Sequence, residues 1–520
     1  MKTKNVAIKA ICVVLSVLML MSGTTVFAAT TDKFTITNPY ANIKWDTVNQ
    51  YKTALHTHTQ ASDGDITLRE SLQRHYETGF DIVAITDHGT VNYSWNDFEG
   101  SKFIGKALKL FGRTDFTLDY LGTEGEFANG VSYKMETRNG DDYLVAADGR
   151  EMMRIPYGIE NNAVSVNAHV NSWFADFHNN LPCDYLAAVK GVQRKGGLCV
   201  INHPGEYTNA RYELFQEDAY NLDNPSYRYF FNKFYGLIND YDCCLGIDIN
   251  SKGDDRTRYE RKLWDLMLME AAKSGKTVYA IASSDAHQLN KIDTGFTYVL
   301  ANEKTSAATK AALQNGEFIA ASTCICNHDE MKQIADSIKK FYGETELYNE
   351  LTDTVARYEA DRQKKIDEND DGNTSVKYEA IDNEGYFNRD ARPMITNITV
   401  DDTENTIAID SENALIVRWI ADGKVISTTT TEDAVIDLDD YSDVVDGYIR
   451  AEVFGEGGIL YTQAFSLNAD QKTEQDFNYL NLGMFDFLFA ESQSYAVNET
   501  WNYKKILLNA VVHDFISFVE

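Results

Sequence analysis

The sequence predicts an α/β fold: a barrel of alternating strands and helices carrying a helical insertion, followed by a small all-β sandwich. Three observations lead there. Between about residues 51 and 322, short apolar runs alternate with longer amphipathic stretches, the signature of strand–helix units around a parallel sheet. Seven such runs over that length fit a ring of strands better than an open sheet. Beyond residue 391 the pattern changes to short alternating strands separated by glycine turns.

The seven runs are Thr53-Ala-Leu55, Asp81 to Ile85, Tyr143 to Ala147, Val164-Ser-Val166, Gly197 to Ile201, Cys244 to Ile249 and Val278 to Ala282. Amphipathic stretches from Leu68 to Thr78, Tyr185 to Lys195 and Tyr259 to Ser274 read as helices between them. The unit spans 40–325. An aromatic-rich insertion at 90–140, with Tyr93, Trp95, Phe98, Phe103, Phe111, Phe116 and Tyr120, follows the second run. It reads equally as a lid over the active face or as a packed helical piece with its own small core. Residues 326–390 are charged and helical up to about 366. They contain Asp367-Glu-Asn-Asp-Asp-Gly372, which has the D-x-N-x-D-G start of a calcium loop at Asp367, Asn369 and Asp371. Tyr378 stands where such a loop needs a bidentate acid, so a solvated acidic turn is the competing reading. Residues 391–468 form the expected sandwich, and 469–520 a mixed helical tail.

Met1-Lys-Thr-Lys4 and Lys9 precede the apolar run Ala10 to Met21 and the small-residue end Val26-Phe-Ala-Ala29. That is a secretory leader, 1–28, too short in its apolar part to serve as a bilayer anchor. The expected location is therefore secreted or extracytoplasmic. Net charge is −31, and loss of the leader, with three lysines and no acid, leaves the chain more acidic still. Such a surface repels phosphate backbones and anionic lipid, which excludes a nucleic-acid polymer or stable membrane insertion as partner. A small anionic substrate fits if bound metal inverts the local sign. Cell-surface association through the C-terminal region is the remaining partner expectation. Cys199 and Cys243-Cys244 lie in or beside apolar runs and read as core thiols rather than a disulfide framework.

The chemistry sits at the ends of the apolar runs. The first ends in His56-Thr-His58, with Asp63 close behind, and the second in Thr86-Asp87-His88. The third ends in Gly149-Arg150-Glu151, His169 follows the fourth, His203 the fifth, and the seventh ends in Asp285-Ala-His287. In strand–helix barrels the C-terminal strand ends converge, so these side chains become neighbours. Imidazoles and carboxylates together hold zinc, manganese or iron. Arg150 is a candidate clamp for an anionic substrate, with a structural ion pair as the other reading. His75, His178, His328 and His513 lack strand-end placement and read as structural or solvent-facing.

The set H-T-H-T-x-x-S-D-G, A-I-T-D-H-G, G-R-E, H-V-N, I-N-H-P and S-D-A-H resembles the polymerase-and-histidinol-phosphatase (PHP) family. The H-V-N segment and Ala312 to Phe318 are similar to its exported branch, which includes carbaryl-type hydrolases. The resemblance implies a distorted barrel of seven strand–helix units with two or three divalent ions. One ion would be held by His56, His58, Glu151 and Asp285; a second would share Glu151 and take His169 and His203; a third would use Asp63, His88 and His287. Glu151, Asp285, His88 and Arg150 would then be the catalytic residues, and Asp248 would stand behind the ligands. Closely spaced ions lower the pKa of water and stabilise developing charge. Hydrolysis of a small phosphate mono- or diester is the first expectation. Cleavage of carboxyl-type esters or carbamates by the same centre is the second, and a non-catalytic exported binding protein with structural metals the third.

Overall fold

The structure is a computed structural model that describes residues 34–100, 121–163, 166–177, 185–250, 255–325, 327–370 and 391–473. The leader, Phe103, Phe111, Phe116, Tyr120, His178, Asp371 and His513 lie outside them, as does nearly all of the C-terminal tail.

Strand β1 (Ile36–Thr37) is followed by β2 (Asn49–Ala54), α1 (Leu68–Glu77) and β3 (Ile82–Val83). Helix α1 begins at a capping box in which Thr67 and Glu70 satisfy each other's backbone N–H groups, and it turns Leu68, Leu72 and Tyr76 inward. The expected helical insertion is β structure wherever it is described. The hairpin β4 (Thr90–Ser94) and β5 (Asp97–Gly100) is followed by β6 (Glu124–Glu126), β7 (Ser132–Arg138) and β8 (Asp141–Ala146). Strands β7 and β8 pair antiparallel over Tyr133 to Arg138, with Tyr133 and Leu144 turned into the core. Trp95 and Tyr133 are buried in a core shared with α1 rather than in a small core of the insertion's own.

The apolar run at 143–147 is thus the return strand of a hairpin. The strand that runs parallel to β3 is β9 (Glu151–Arg154), with Ile82 opposite Met153. The chain continues into β10 (Ile159–Ala163), β11 (Val166–Trp173), α2 (Tyr185–Lys195) and β12 (Leu198–Ile201). Then come α3 (Pro225–Asp240), β13 (Cys244–Asp248), α4 (Glu260–Ala272) and β14 (Tyr279–Ile281). Strands β12, β13 and β14 are mutually parallel and almost wholly buried, which is why they read as continuous apolar runs. Cys199, Cys243 and Cys244 are buried thiols here. Strand β15 (Gly295–Ala301) returns antiparallel to β2, and α5 (Ser306–Asn315) leads through the left-handed cap Gly316 to β16 (Phe318–Ser322).

The strands form two main sheets rather than a closed ring. One contains β2, β3, β9, β15 and β16; the other runs β10–β11–β12–β13–β14. Only isolated bridges, Thr57 with Ala286 and His88 with Glu160, stitch them together, so no closed sheet forms among the described residues. Both bridges lie where strands end, and they pull those ends to one place.

Helices α6 (His328–Tyr342) and α7 (Glu346–Asp370) follow. Asp367 and Asn369 fall inside α7, where Asp367 accepts a hydrogen bond from Gln363 one turn earlier. The helix therefore continues through the expected start of a calcium loop. Beyond it lie β17 (Met394–Asp401), β18 (Thr406–Glu412), β19 (Ile416–Ala421), β20 (Lys424–Thr430), β21 (Val435–Asp437), β22 (Tyr448–Gly455), β23 (Gly458–Tyr461) and β24 (Phe465–Leu467). Strands β17, β18 and β21 make a separate small sheet. The others extend the main sheet, because β23 pairs with β16 and β24 with β1.

His328, at the start of α6, is buried, stacks on Tyr358 and makes no hydrogen bond to the described residues through either ring nitrogen. Burial lowers its pKa from 6.5 to about 4, with the neighbouring Asp329 carboxylate only partly opposing. The unfolded chain therefore takes up this proton first as pH falls. Stability from this residue is full above 6.5 and drains away toward pH 4, by up to ~3 kcal/mol. Denaturant titrations at pH 7 and pH 4.5 should show a smaller stability loss for His328→Phe than for the wild type. Equal losses would rule this residue out as a source of acid sensitivity.

Candidate metal centre

His56 and His58 leave the end of β2 on alternate positions, so both rings face the same side. Thr57 between them turns the other way, and its N–H donates to Thr86 Oγ1 at 3.0 Å. Asp87 is the anchor of the next loop. Its buried carboxylate accepts from Thr59 N, Thr59 Oγ1 and Ser62 Oγ, each at 2.7 Å, and so fixes the turn that presents Asp63. His88 follows directly.

The carboxylate at the centre is Glu160, near the start of β10. Gly158, two residues earlier, has a physical reason: a Cβ there would lie 2.4 Å from the Ile85 carbonyl oxygen. Only glycine lets the chain press against the end of β3 and deliver Glu160 beside His88. Glu160 Oε2 lies 3.4 Å from His56 Nε2, 3.1 Å from His58 Nε2 and 3.1 Å from His88 Nδ1. Its Oε1 lies 3.0 Å from His169 Nδ1 and 3.3 Å from His203 Nε2. Asp285 Oδ1, from the loop after β14, is 3.2 Å from His56 and 3.0 Å from His58. Asp63 stands 3.4 Å from His58 Nδ1, 3.5 Å from His88 Nε2 and 3.3 Å from His287 Nε2.

Eight of the nine expected ligand residues therefore meet, and Glu151 does not. Glu151 opens β9, and the end of that strand and a turn at Pro156 and Tyr157 separate it from Glu160 in β10. It is partly exposed and pairs with Arg138 at 2.8 Å. Arg150 goes with it: its guanidinium donates to the Tyr76 carbonyl at 2.7 Å and lies over the Tyr76 ring. It is a structural contact on α1, away from the cluster. The signal for the right acid was Gly158-Ile-Glu160, which has the same Gly-x-Glu spacing as Gly149-Arg-Glu151.

The electrostatics favour cations. Burial alone would raise the Glu160 carboxyl, but the imidazoles of His169, His56 and His88 outweigh it and hold it well below the usual range. Asp63 is likewise raised by burial and drawn well below its ordinary value by His88 and His287. His56 is lowered by burial despite the neighbouring acids. Asp248, buried behind the cluster, accepts from the Ser283 hydroxyl and is pushed up to about 8 by burial. Asp285 (φ 44°) and His203 (φ 25°) both hold left-handed backbone, a strain that persists where surrounding structure over-determines a functional side chain.

The residues fit divalent ions. Glu160 Oε2 is buried with three imidazole nitrogens within 3.4 Å, yet none is aligned to give it a hydrogen bond. Donors about 2.0–2.2 Å from one tetrahedral ion stand roughly 3.3–3.6 Å apart, close to the spacing seen here. Among the described residues three overlapping donor sets emerge: His56, His58, Glu160 and Asp285; His88, Glu160 and His169; and His58, Asp63, His88 and His287. His203 adjoins the second through Glu160, and it lies 3.7 Å from Asp285 Oδ2.

Residues 54–182 match the PHP domain. That stretch supplies His56, His58, Asp63, His88, Glu160 and His169, while His203, Asp285 and His287 come from beyond it. No curated protein matches the chain. Among solved structures, the chain is similar to a two-domain protein from Bacteroides vulgatus ATCC 8482 containing a predicted PHP-like metal-dependent phosphoesterase. The two are 14% identical, with 81% of this chain and 88% of that chain covered and a TM-score of 0.30. A PHP domain match and a buried His/Asp/Glu cluster able to bind several ions fit a metal-dependent hydrolase.

Proposed function

We propose that this chain is an exported hydrolase of small phosphate mono- or diesters that works through two or three divalent ions, with manganese, zinc or iron as candidates. The observation that carries the reading is Glu160, a carboxylate that belongs to two adjoining donor sets and whose two oxygens face five imidazoles. A carboxylate shared by two donor sets would serve the ions of both and keep them near one substrate. When bound, the ions supply Lewis acidity and lower the pKa of water toward neutrality.

The protein's own part is placement. His56, His58, Glu160, Asp285 and His203 are fully buried, whereas Asp63, His169 and His287 keep some exposure. Substrate would therefore approach over Asp63, His169 and His287. Asp87 keeps the Asp63 turn in register with that face. Two or three dications against the three carboxylates of the cluster make the pocket locally positive in an acidic chain, which suits an anionic ester.

Metal-supplemented protein offered chromogenic phosphate and carboxylate esters should hydrolyse the phosphates and lose that activity to a chelator. Turnover of carboxylate esters or carbamates alone would move the reading to the carbaryl-hydrolase-like branch. No turnover by protein that carries its metals would favour a binding role instead.

A further inference from the structure

His203 ends β12 in left-handed backbone and is followed at once by the 3-10 turn Pro204–Tyr207. Proline suits the first position of such a turn because it has no N–H to leave unpaired. The Glu206 N–H donates back to the His203 carbonyl at 2.9 Å, which folds the glutamate beside the imidazole three residues earlier. Gly205 is set by crowding: a Cβ there would lie 2.6 Å from the Arg256 carbonyl oxygen. Its N–H donates to Glu260 Oε1 at 3.1 Å. The turn is thus clamped against the segment that carries Arg256.

The clamp lines up three side chains. His203 Nε2 faces Glu160 Oε1 at 3.3 Å, while Nδ1 on the far side of the ring lies 3.2 Å from Glu206 Oε2. The other oxygen of Glu206 accepts from the Arg256 guanidinium at 3.2 Å. We propose that Glu206 and Arg256 are positioning residues for His203, fixing which nitrogen faces the cluster and setting how tightly the Glu160–His169–His203 position holds a divalent cation. The inference rests on the metal-dependent reading above.

The comparison with neighbouring ligands gives the reason. The far nitrogen of His287 meets the Asp285 backbone carbonyl at 2.9 Å, and that of His58 lies 3.2 Å from the Ser62 hydroxyl. His203 instead has a carboxylate from outside the ligand cluster. A carboxylate partner fixes the ring orientation and makes the imidazole a stronger donor, and its loss typically weakens metal binding by about 10–100-fold. Arg256 completes the relay by orienting Glu206.

The test is titration of metal-free protein with zinc and with manganese, alongside its melting temperature without metal, for wild type, Glu206→Gln, Glu206→Asp and Arg256→Met. Glu206→Gln should weaken one class of bound ion about 10–100-fold and leave metal-free melting nearly unchanged. Glu206→Asp should recover part of the affinity, and Arg256→Met should weaken the same class of ion less. Unchanged affinities in Glu206→Gln would overturn the proposal, as would a drop in metal-free melting with no change in affinity. A wild-type protein that takes up no cation would overturn the hydrolase reading, and this proposal with it.

Discussion

Glu160→Gln should lower turnover by about 10³-fold or more and reduce bound metal, while Glu151→Gln should change neither by more than about twofold. The two positions are nine residues apart and lie on different strands, Glu151 at the start of β9 and Glu160 in β10. Glu160 is buried with five imidazole nitrogens within 3.4 Å of its two oxygens. An amide there keeps the shape but loses the charge, and it presents an N–H₂ where two donor sets need an anion. Glu151 touches Arg138 at a partly exposed site, where an ion pair contributes little. Metal content by elemental analysis, with initial rates on the best chromogenic ester, decides it. Comparable loss in both variants would mean that Glu160 does not join the ions.

Why the wrong glutamate stood out in the sequence is itself physical. Hydropathy marks a strand when its residues are apolar, and β12, β13 and β14 were legible for that reason, with His203 and Asp285 just beyond two of them. Strand β10 is Ile159-Glu-Asn-Asn-Ala163, and Glu160 and Asn161 are buried because they serve the cluster and its hydrogen bonds. Asn202 donates to Glu160 Oε1 at 2.7 Å, and Asn161 donates to Ser172 at 2.8 Å. A strand whose inward face is polar carries no apolar signal. The nearby run at 143–147 carries a strong one, although it belongs to a hairpin away from the site. Helix α3 was hidden for the opposite reason: Tyr227, Tyr229, Phe230, Phe231, Phe234 and Tyr235 are buried around much of its circumference, which blurs the one-sided pattern of an amphipathic helix. The H-x-H pair, the D-H and the D-A-H were legible because ligands at strand ends sit beside apolar residues that do show.

A chain ending at residue 392, without the C-terminal strands, should fail to fold cooperatively and should aggregate. The expectation of a self-contained sandwich would predict the reverse, so the sheet topology makes a sharp test. Strand β16 would lose β23 and become an edge, with Ala320, Ala321 and Ser322 stripped of partners Tyr461, Leu460 and Ile459. Strand β1 would lose β24. Gln463 now caps β14, since its side-chain amide accepts from Ala280 N and donates to Ala280 O, both at 2.9 Å; β14 leads to Asp285. Asp265 on α4 would be left buried without Arg450, which grips both its oxygens at 2.7 and 2.9 Å, and without the Tyr448 hydroxyl at 2.8 Å. Glu330 would lose Arg418. Breaking one buried pair by removing a partner costs about 3–5 kcal/mol, against a total stability of about 5–15 kcal/mol for a typical domain. That loss at Asp265, a Glu330 left with Arg261 alone, a bare sheet edge and the exposed apolar core of Phe296, Leu300 and Ile319 exceed that margin. Arg450→Met in the full chain isolates one part of the sum and should lower stability by about 3–5 kcal/mol in a denaturant titration. A soluble 34–392 fragment that melts cooperatively and still takes up metal would show instead that the strands after 392 are an appended module and that the centre stands without them.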